Sequence, residues 1–403
     1  MKKICIVTSG QPTNNPRVVK EADALTGAGY HVSVVGIEGA RWAVESDKTL
    51  LKDKTWKFEA AGGHLEGISP AYWLSRWRYA ISLRLLKKCS NVVDPKDALG
   101  RAVRQLIDKA RQTKADLYIG HNIPGWLAAS EASKINGSMF ALDVEDYHSG
   151  LETNQKIIPL IKEIEAKLLT KATYVSVSSK EIGLLYAHHT LATPTVVIRN
   201  VFPRNPNSKP ARTTEGNLLK LYWFSQSIGP NRGLEDIFGA MRHLADLPVE
   251  LHIRGSLRYS RAYLQELISE NFISPPKIHF LPLIPTVEND HTAQAFPVGL
   301  ALENTKIPAR DCCLTNKVFS FLTAGCAILY TKTTAQQNLF NDYPNCGVGY
   351  SPGNFGELAE HIRFWFHNRD ALYQAQINSW QVGQELCWEN EQVSLLEMVK
   401  RYA

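Results

Sequence analysis

The chain has 403 residues, 44% of them hydrophobic and 21% charged, which is the composition of a globular protein and excludes a disordered, collagenous or coiled-coil chain. The length predicts two domains rather than one. The net charge of +6 is concentrated between Tyr72 and Arg111, where ten basic residues stand against three acidic ones, and no aromatic-basic motif indicates a nucleic-acid partner.

The seven cysteines show no CxxC spacing, and two of them are adjacent. An odd number without that spacing argues against a disulfide framework or a zinc site, so we expect a reducing, cytoplasmic compartment. The apolar stretch Ile4 to Val7 is too short for a signal peptide, and no run reaches the roughly 18 apolar residues of a membrane span. Any contact with a membrane is therefore expected to be peripheral.

The first 200 residues alternate between short β-branched runs and segments of helical periodicity. Lys3–Thr8, Arg17–Thr26 and His31–Gly36 predict a strand, a helix and a strand, which together form a βαβ unit. The pattern recurs in predicted helices at Leu99–Gln112, Ile123–Lys134 and Lys156–Lys171 and in predicted strands at Asp116–Gly120, Ser138–Asp143, Tyr174–Val177 and Thr195–Ile198. This half is expected to fold as a parallel sheet covered by helices.

The segment 201–216 is rich in Pro, Asn and Ser and predicts a linker. After it the alternation restarts, with predicted strands at Leu219–Phe224, Val249–Arg254, Lys277–Leu281, Val298–Ala301 and Ala327–Tyr330 and predicted helices at Leu234–Leu244, Arg261–Glu270, Asn316–Thr323 and Phe355–His367. The predicted fold class is therefore α/β, with two Rossmann-like doubly wound domains, 1–200 and 217–379, facing each other across a cleft.

Ligands of open parallel sheets bind at the carboxyl ends of the strands, so polar residues at those ends are candidates for the site. The loop after the first strand leads into a helix N-terminus, which suits an anion or sugar hydroxyls, although a merely polar loop is the alternative. It lacks the GxGxxG fingerprint of dinucleotide binding. Its candidate residues are Gly10, Gln11, Asn14, Asn15 and Arg17.

Two further groups of polar residues end predicted strands in this half. His121 could bind a hydroxyl, act as an acid or base, or be structural. The next strand is followed by Asp143, Glu145, Asp146 and His148. Contact with sugar hydroxyls or acid–base chemistry is favoured for this group. A loop that caps the next helix and a Mg²⁺ or Mn²⁺ site are the alternatives.

The second half carries residues that suit an anionic diphosphate. Small residues and Arg232 precede a helix there, and the absence of a Walker Lys-Ser/Thr pair disfavours an ATPase. Glu303 suits the two hydroxyls of a ribose, and Lys317 suits a phosphate, although a solvated helix start is the alternative for Lys317 alone. The candidate residues are Ser225, Gln226, Asn231, Arg232, Gly233, Arg254, Gly255, Glu303, Asn316 and Lys317.

The chain resembles the GT-B glycosyltransferases, particularly the GT4-like (family 4, group 1) enzymes of bacterial surface-polysaccharide and glycolipid synthesis. The likeness spans nearly the whole chain and is carried by SGQPTNNPRVVKEADALTGAGYHVSVV, ADLYIGHNIPG, VVIRNVFP, WFSQSIGPNRGLEDI and GLALENTKIPARDCCLTNKVFSFLTAGCAIL. It implies an acceptor-binding first domain, a second domain that binds a nucleotide-diphosphate sugar, and a helix at 380–403 that crosses back to the first domain. It also implies a retaining, metal-independent transfer to a saccharide or lipid-linked acceptor, with no cofactor besides the nucleotide sugar.

One pair of positions departs from this family. The family often has two glutamates eight positions apart around the donor sugar, and Cys312 and Ser320 stand there in this chain. A non-catalytic nucleotide-sugar-binding or scaffold protein of the same fold is therefore an alternative function. A nucleotide-sugar epimerase of this fold is another.

The basic patch coincides with a predicted helix of aromatic character. Trp73, Trp77, Ile81 and Leu85 recur every four residues, and the same stretch carries Arg76, Arg84, Lys87 and Lys88. Such a helix suits the surface of an anionic bilayer, whereas a core-facing helix with a solvated basic side is the alternative. The first interpretation predicts a cytoplasmic enzyme, peripheral at the inner face of the membrane, with a lipid-linked or acidic acceptor.

Overall fold

The computed structural model of the chain describes every residue except 64, 66–68, 87–93, 153, 191, 213–217, 258–259, 272–276 and 285–288. The chain folds into two compact units. Residues 1–199 and 392–403 form unit 1, and residues 200–391 form unit 2. Each unit is built around one parallel sheet with helices beside it, as the alternating sequence pattern predicts.

The described residues of unit 1 form seven strands: β1 (Lys3–Thr8), β2 (His31–Ile37), β3 (Lys57–Ala61), β4 (Leu117–His121), β5 (Met139–Val144), β6 (Val175–Val177) and β7 (Thr195–Val197). They pair in the order β3-β2-β1-β4-β5-β6-β7, and all six pairs are parallel. Its helices are α1 (Pro16–Gly27), α2 (Arg41–Leu51), α3 (Pro70–Leu85), α4 (Val103–Gln112), α5 (Asn122–Asn136), α6 (His148–Leu151), α7 (Ile158–Leu169) and α8 (Lys180–Tyr186).

The direction of winding in unit 1 reverses between β1 and β4, whose last residues, Thr8 and His121, lie opposite each other. Two glycines allow α5 to lie directly against these strands. A Cβ on Gly125 would lie 2.3 Å from the carbonyl oxygen of Val7, and one on Gly120 would lie 2.7 Å from that of Gly125. The N-terminus of α5 is therefore held at the switch point, which is where open α/β sheets bind ligands.

Unit 2 contains six strands: β8 (Leu219–Ser227), β9 (Val249–Ser256), β10 (Ile278–Leu281), β11 (Val298–Ala301), β12 (Ala327–Thr331) and β13 (Gly347–Tyr350). They pair in the order β10-β9-β8-β11-β12-β13, again all parallel, so β8 and β11 flank the switch point of this sheet. Its helices are α9 (Leu234–Arg242), α10 (Arg261–Asn271), α11 (Asn289–Ala293), α12 (Pro308–Cys312), α13 (Asn316–Ala324), α14 (Thr334–Asp342), α15 (Phe355–His367) and α16 (Arg369–Glu385).

The last helix, α17 (Trp388–Tyr402), begins in unit 2, and its residues from Gln392 onward belong to unit 1. Within unit 1, the ring of Tyr402 stacks on that of Tyr174 with 6.0 Å between the centroids. In the part of the chain that the structure describes, no helix is long and apolar enough to cross a membrane.

The structure contains elements that periodicity did not predict, among them β3, β13, α2, α12, α14 and α16. Two of the four residues of β13 are glycines, so the strand carries little β-propensity of its own and depends on pairing with β12. The predicted helix Leu99–Gln112 begins only at Val103, because Ala102 has a φ of +63° and interrupts the helical backbone.

Candidate functional site

Five charged side chains meet at the carboxyl ends of β4 and β5 in unit 1, and we call them the unit 1 charge cluster. Arg17 and Glu21 come from α1, His121 ends β4, and Asp143 and Glu145 come from the end of β5 and the loop after it. All except Glu145 are almost completely buried. Buried charges of this kind are tolerated only when each is paired.

Arg17 holds Asp143 by a bidentate ion pair. Its Nε and Nη2 donate to the two carboxylate oxygens at 2.7 and 2.6 Å, and its Nη1 donates to the carbonyl oxygen of Ile198 at 2.8 Å. Burial alone would raise the pKa of Asp143, but the charges of Arg17 and His121 outweigh it and hold that pKa well below its ordinary value. The guanidinium of Arg17 is buried and its donors are directed at these internal partners, and its predicted contact with an acceptor stays a prediction.

His121 lies between three carboxylates. Its Nε2 is 3.0 Å from Glu21, and its Nδ1 is 2.9 Å from Glu145 and 3.2 Å from Asp143. Burial alone would lower the pKa of His121, but the charges of Glu21 and Asp143 raise it well above the ordinary value. Both nitrogens of the buried imidazolium are therefore engaged inside the protein. His121 and Asp143 are both completely buried, and their predicted catalytic roles stay predictions.

Glu145, Asp146 and His148 lie partly exposed beside this cluster. Burial lowers the pKa of His148 to about 4, against the opposing charges of Glu145 and Asp143, so its ring is neutral at pH 7. The ring lies edge-on to Trp126, and its Nε2 has no hydrogen-bond partner among the described residues. This nitrogen is itself buried, and the predicted roles of these three residues stay predictions.

The loop after β1 is braced from within. Gln11 is completely buried, donates to Asp47 at 2.6 Å and accepts from two backbone N–H groups of the loop before α2. The amide of Gln11 thus holds the loop, and its predicted contact with an acceptor stays a prediction. Asn14 is exposed, Asn15 caps α1 and also donates to Glu145 at 3.4 Å, and acceptor contacts stay predictions for these two residues and Gly10.

In unit 2, three cations lie around one carboxylate near the carboxyl ends of β8 and β11. The oxygens of Glu303 are 2.6 Å from Nζ of Lys317 and 2.6 Å from Nη1 of Arg310. Burial lowers the pKa of Arg232, and the nearby charge of Arg310 lowers it further against the opposing charge of Glu303. We call Arg232, Arg310 and Lys317 the three-cation cluster; with Glu303 included, its net charge is +2.

Lys317 is the most enclosed of the three cations. Its Nζ also donates to the carbonyl oxygen of Leu302 at 3.0 Å and lies 5.4 Å from the ring centroid of Trp223. Burial lowers its pKa below the ordinary value; Glu303 opposes this shift, whereas Arg232 and Arg310 add to it. Around Lys317 the positive charges exceed the negative charge, and the surroundings are partly desolvated. The three-cation cluster therefore favours the binding of an anion.

Glu303 and Arg310 change the site that the sequence predicted. The buried carboxylate of Glu303 gives one oxygen to Arg310 and the other to Lys317, and its predicted contact with ribose hydroxyls stays a prediction. Arg310 was missed because α12, where it lies, has only five residues and shows no periodicity. The one signal in the sequence for Arg310 was that it is a basic residue in the same strand-to-helix connection as Glu303.

The loops after β8 and β11 touch each other. Asn231 and Gly233 adopt positive φ angles of 61° and 76°, and a Cβ on Gly233 would lie 2.5 Å from the Cβ of Leu302. A larger residue at Gly233 would separate the two loops. Arg232 is held in this arrangement by donating from Nη1 to Ser225 Oγ at 2.9 Å. The structure thus places Ser225, Asn231, Arg232 and Gly233 in one loop system beside Glu303.

The remaining predicted donor residues fall into two groups. Arg254 donates to Tyr222 Oη at 2.9 Å and to a backbone carbonyl, and it is largely buried, so it braces the sheet from within, while its predicted donor contact stays a prediction. Gly255 lies tightly against the backbone near the end of β8. Gln226 is exposed, and Asn316 begins α13. Donor contacts by these last three residues stay predictions.

Helix α3 presents its apolar side chains outward. Trp77 is 66% exposed and Trp73 44%, and Leu74 and Ile81 are exposed as well. Its fully buried residues are small and polar, Ser75 and Ser82, each 2% exposed. The alternative of a core-facing apolar side is therefore wrong for the described helix. Arg76 and Arg84 are exposed on it, whereas Lys87 and Lys88 lie outside the described residues.

Comparisons with known proteins identify the fold of the chain. No family model matches the sequence, and no curated protein matches it. The chain is similar to the solved structure of Anabaena HepE in complex with UDP-glucose (14% identity, 100% of both chains covered, TM-score 0.68). It is also similar to sucrose-phosphate synthase from Thermosynechococcus elongatus (13%, 100% of this chain and 99% of the other, 0.68) and to a glycosyltransferase from Rickettsia africae (12%, 99% and 98%, 0.63). The chain thus has the GT-B fold, with two parallel-sheet Rossmann-like domains.

Proposed function

We propose that the protein is a glycosyltransferase that moves a hexosyl group from a nucleotide-diphosphate sugar bound by unit 2 to an acceptor bound by unit 1. The observation that carries the proposal is the three-cation cluster, whose net charge with Glu303 is +2, at the switch point of the unit 2 sheet. A diphosphate supplies the negative charge that this cluster lacks. The fold shared with a protein that binds UDP-glucose supports the same class of donor.

In the proposed reaction, the bond between the sugar C1 and the diphosphate oxygen breaks, and a bond from an acceptor hydroxyl oxygen to C1 forms. The nucleoside diphosphate leaves with the electron pair and takes up the proton of the acceptor hydroxyl on its leaving oxygen, and Arg232, Arg310 and Lys317 stabilise the charge that develops on it. Because three side-chain cations serve this purpose, the proposed transfer is metal-independent. Glu145 and His148 orient hydroxyl groups, and the retaining stereochemistry rests on the family resemblance.

Calorimetry with a panel of UDP-, GDP- and other nucleotide sugars tests this proposal. We expect one nucleotide sugar to bind, and Arg232→Ala to weaken it about tenfold or more, because a charge-assisted contact contributes about 1.5–3 kcal/mol. Nucleoside diphosphate should be released only when an acceptor is added. If no nucleotide sugar binds the wild-type protein, the proposal fails.

A non-catalytic nucleotide-sugar-binding protein is the second candidate, favoured by Cys312 and Ser320. Ser320 is completely buried, and its Oγ has no hydrogen-bond partner among the described residues. A serine is too short to replace a glutamate that reaches a donor sugar. This candidate predicts nucleotide-sugar binding without release of nucleoside diphosphate for any acceptor, whereas an epimerase would convert the donor without an acceptor.

We further propose that the acceptor is lipid-linked and belongs to surface-polysaccharide or glycolipid synthesis, and that α3 lies on an anionic membrane surface. We expect the protein to float with vesicles containing phosphatidylglycerol at low salt, because exposed tryptophans enter the headgroup region while arginines pair with lipid phosphates. Replacing Trp73 and Trp77 together with serine should abolish flotation without unfolding the protein, since both rings are largely exposed.

A matched control places the same change on another exposed apolar pair. Leu184 and Leu185, on α8, are exposed but have no arginine among their immediate neighbours in sequence, so their replacement by serine should leave flotation unchanged. Absence of wild-type flotation at low salt would contradict the membrane proposal and leave a water-soluble acceptor. Equal loss in both double variants would also contradict it, because binding would then not depend on α3.

A further inference from the structure

Unit 2 also contains three side chains of types that bind metal ions, Glu250, His252 and His279, away from the three-cation cluster. Glu250 and His252 point to the same face of β9 because they are two residues apart, and His279 on the edge strand β10 lies directly opposite His252 in the parallel pairing. All three lie in the first half of their strands, whereas the three-cation cluster lies at the carboxyl ends of the sheet. The sheet register itself therefore brings the three side chains together.

The spacing of the three potential ligand atoms suits a small divalent cation. Oε2 of Glu250 lies 3.3 Å from Nε2 of His252 and 3.5 Å from Nε2 of His279, and all three atoms lie within 4.8 Å of one another. Ligands of a tetrahedral Zn²⁺ ion, each about 2.0–2.1 Å from the metal, are about 3.3–3.4 Å apart. Two of the three spacings match this geometry, and the third lies within 4.8 Å.

The surroundings keep the ligand atoms available. The other carboxylate oxygen of Glu250 faces Lys277 at 3.9 Å, which leaves Oε2 directed at the two imidazoles. The two rings stack with 4.5 Å between centroids.

We propose that Glu250, His252 and His279 form a Zn²⁺ site with two nitrogen ligands, one oxygen ligand and a fourth position open to water. The bound ion links the edge strand β10 to β9. The proposal of a Zn²⁺ site does not depend on the glycosyl-transfer proposal. Since His279 is 46% exposed and the other two side chains are about one-seventh exposed, the ion enters from solvent without opening the core.

The test uses the full chain after treatment with a chelator and dialysis, with Zn²⁺ alone as the probe. Calorimetry should show one saturable site, and Zn²⁺ should raise the melting temperature because it binds only the folded chain. Co²⁺ in its place should give the intense visible absorption of a four-coordinate ion. His279→Ala, which removes a mostly exposed ring, should weaken Zn²⁺ binding at least about tenfold, as should Glu250→Gln.

The matched control is a histidine pair without a carboxylate. His188 and His189 of unit 1 also lie close together, with 3.8 Å between ring centroids, and their replacement by alanine should leave Zn²⁺ binding unchanged. The proposal is overturned if the wild-type chain binds no Zn²⁺. It is equally overturned if His279→Ala binds as tightly as wild type, or if the control double variant alone loses the site.

Discussion

Replacing Arg17 with methionine is expected to lower the free energy of unfolding of unit 1 by about 3–5 kcal/mol. Methionine preserves much of the side-chain volume, but it leaves Asp143, which is completely buried, without its bidentate partner. Glu21, 3.5 Å from the Arg17 Nε, also loses a neighbouring positive charge. Urea denaturation followed by tryptophan fluorescence and circular dichroism measures the loss.

The pH dependence of this loss has a definite direction. In the wild type the pKa of Asp143 is held well below its ordinary value, so the ionised carboxylate contributes stability that is present above the unfolded pKa. Without Arg17 that pKa rises, because only His121 and the hydroxyl of Ser176 then oppose the effect of burial. The difference between wild type and Arg17→Met should therefore shrink as the pH falls and the buried Asp143 of the variant takes up a proton.

Two further variants separate the unpaired charge from the lost packing. The double variant Arg17→Met/Asp143→Asn removes both charges and should lose less than the sum of the two single variants, because the residues are directly coupled. Lys48→Met removes one partner of an exposed ion pair on α2 and should change stability by no more than about 0.5 kcal/mol. An Arg17→Met loss as small as that of Lys48→Met would contradict the role assigned to the unit 1 charge cluster.

The sequence predicted the sheets better than the site because strands and helices are local patterns, whereas the charge clusters are made by distant residues. The β-branched run Lys3–Thr8 indicates a buried strand without any knowledge of its neighbours. Nothing local to His121 shows that Glu21 and Asp143, 100 residues before and 22 after it, enclose its ring. A histidine at a strand end was therefore assigned to the substrate although it is held inside the protein.

The same limit applies to unit 2 and to α3. Glu303 was assigned to ribose because its two cationic partners become adjacent only when α12 and α13 fold against β11. On α3, spacing correctly predicts an apolar stripe, but spacing cannot show which face the rest of the unit covers. Small serines allow the helix to approach the unit closely, and the tryptophans are left outside.

Replacing Lys317 with alanine is expected to weaken binding of the nucleoside diphosphate about 10- to 100-fold while leaving unit 2 folded. The affinity falls because a charge-assisted contact of a buried ammonium to phosphate contributes about 1.5–3 kcal/mol. The fold persists because Glu303 keeps its 2.6 Å ion pair with Arg310, in contrast to Asp143 in the Arg17 variant. Calorimetry with the nucleoside diphosphate and with the corresponding nucleoside separates the contribution of the phosphate groups to the affinity from that of the nucleoside.

The loss of affinity in Lys317→Ala should be confined to the contribution of the phosphate groups. Affinity for the nucleoside, which carries no charge, should change little, and the dependence of diphosphate affinity on salt should become weaker because one cation is gone. Lys306→Ala, which removes an exposed lysine between Glu303 and Arg310 in sequence, is the matched control and should bind the diphosphate like wild type. If Lys317→Ala and Lys306→Ala bind the diphosphate equally well, Lys317 does not contact phosphate, and the donor site must be sought outside the three-cation cluster.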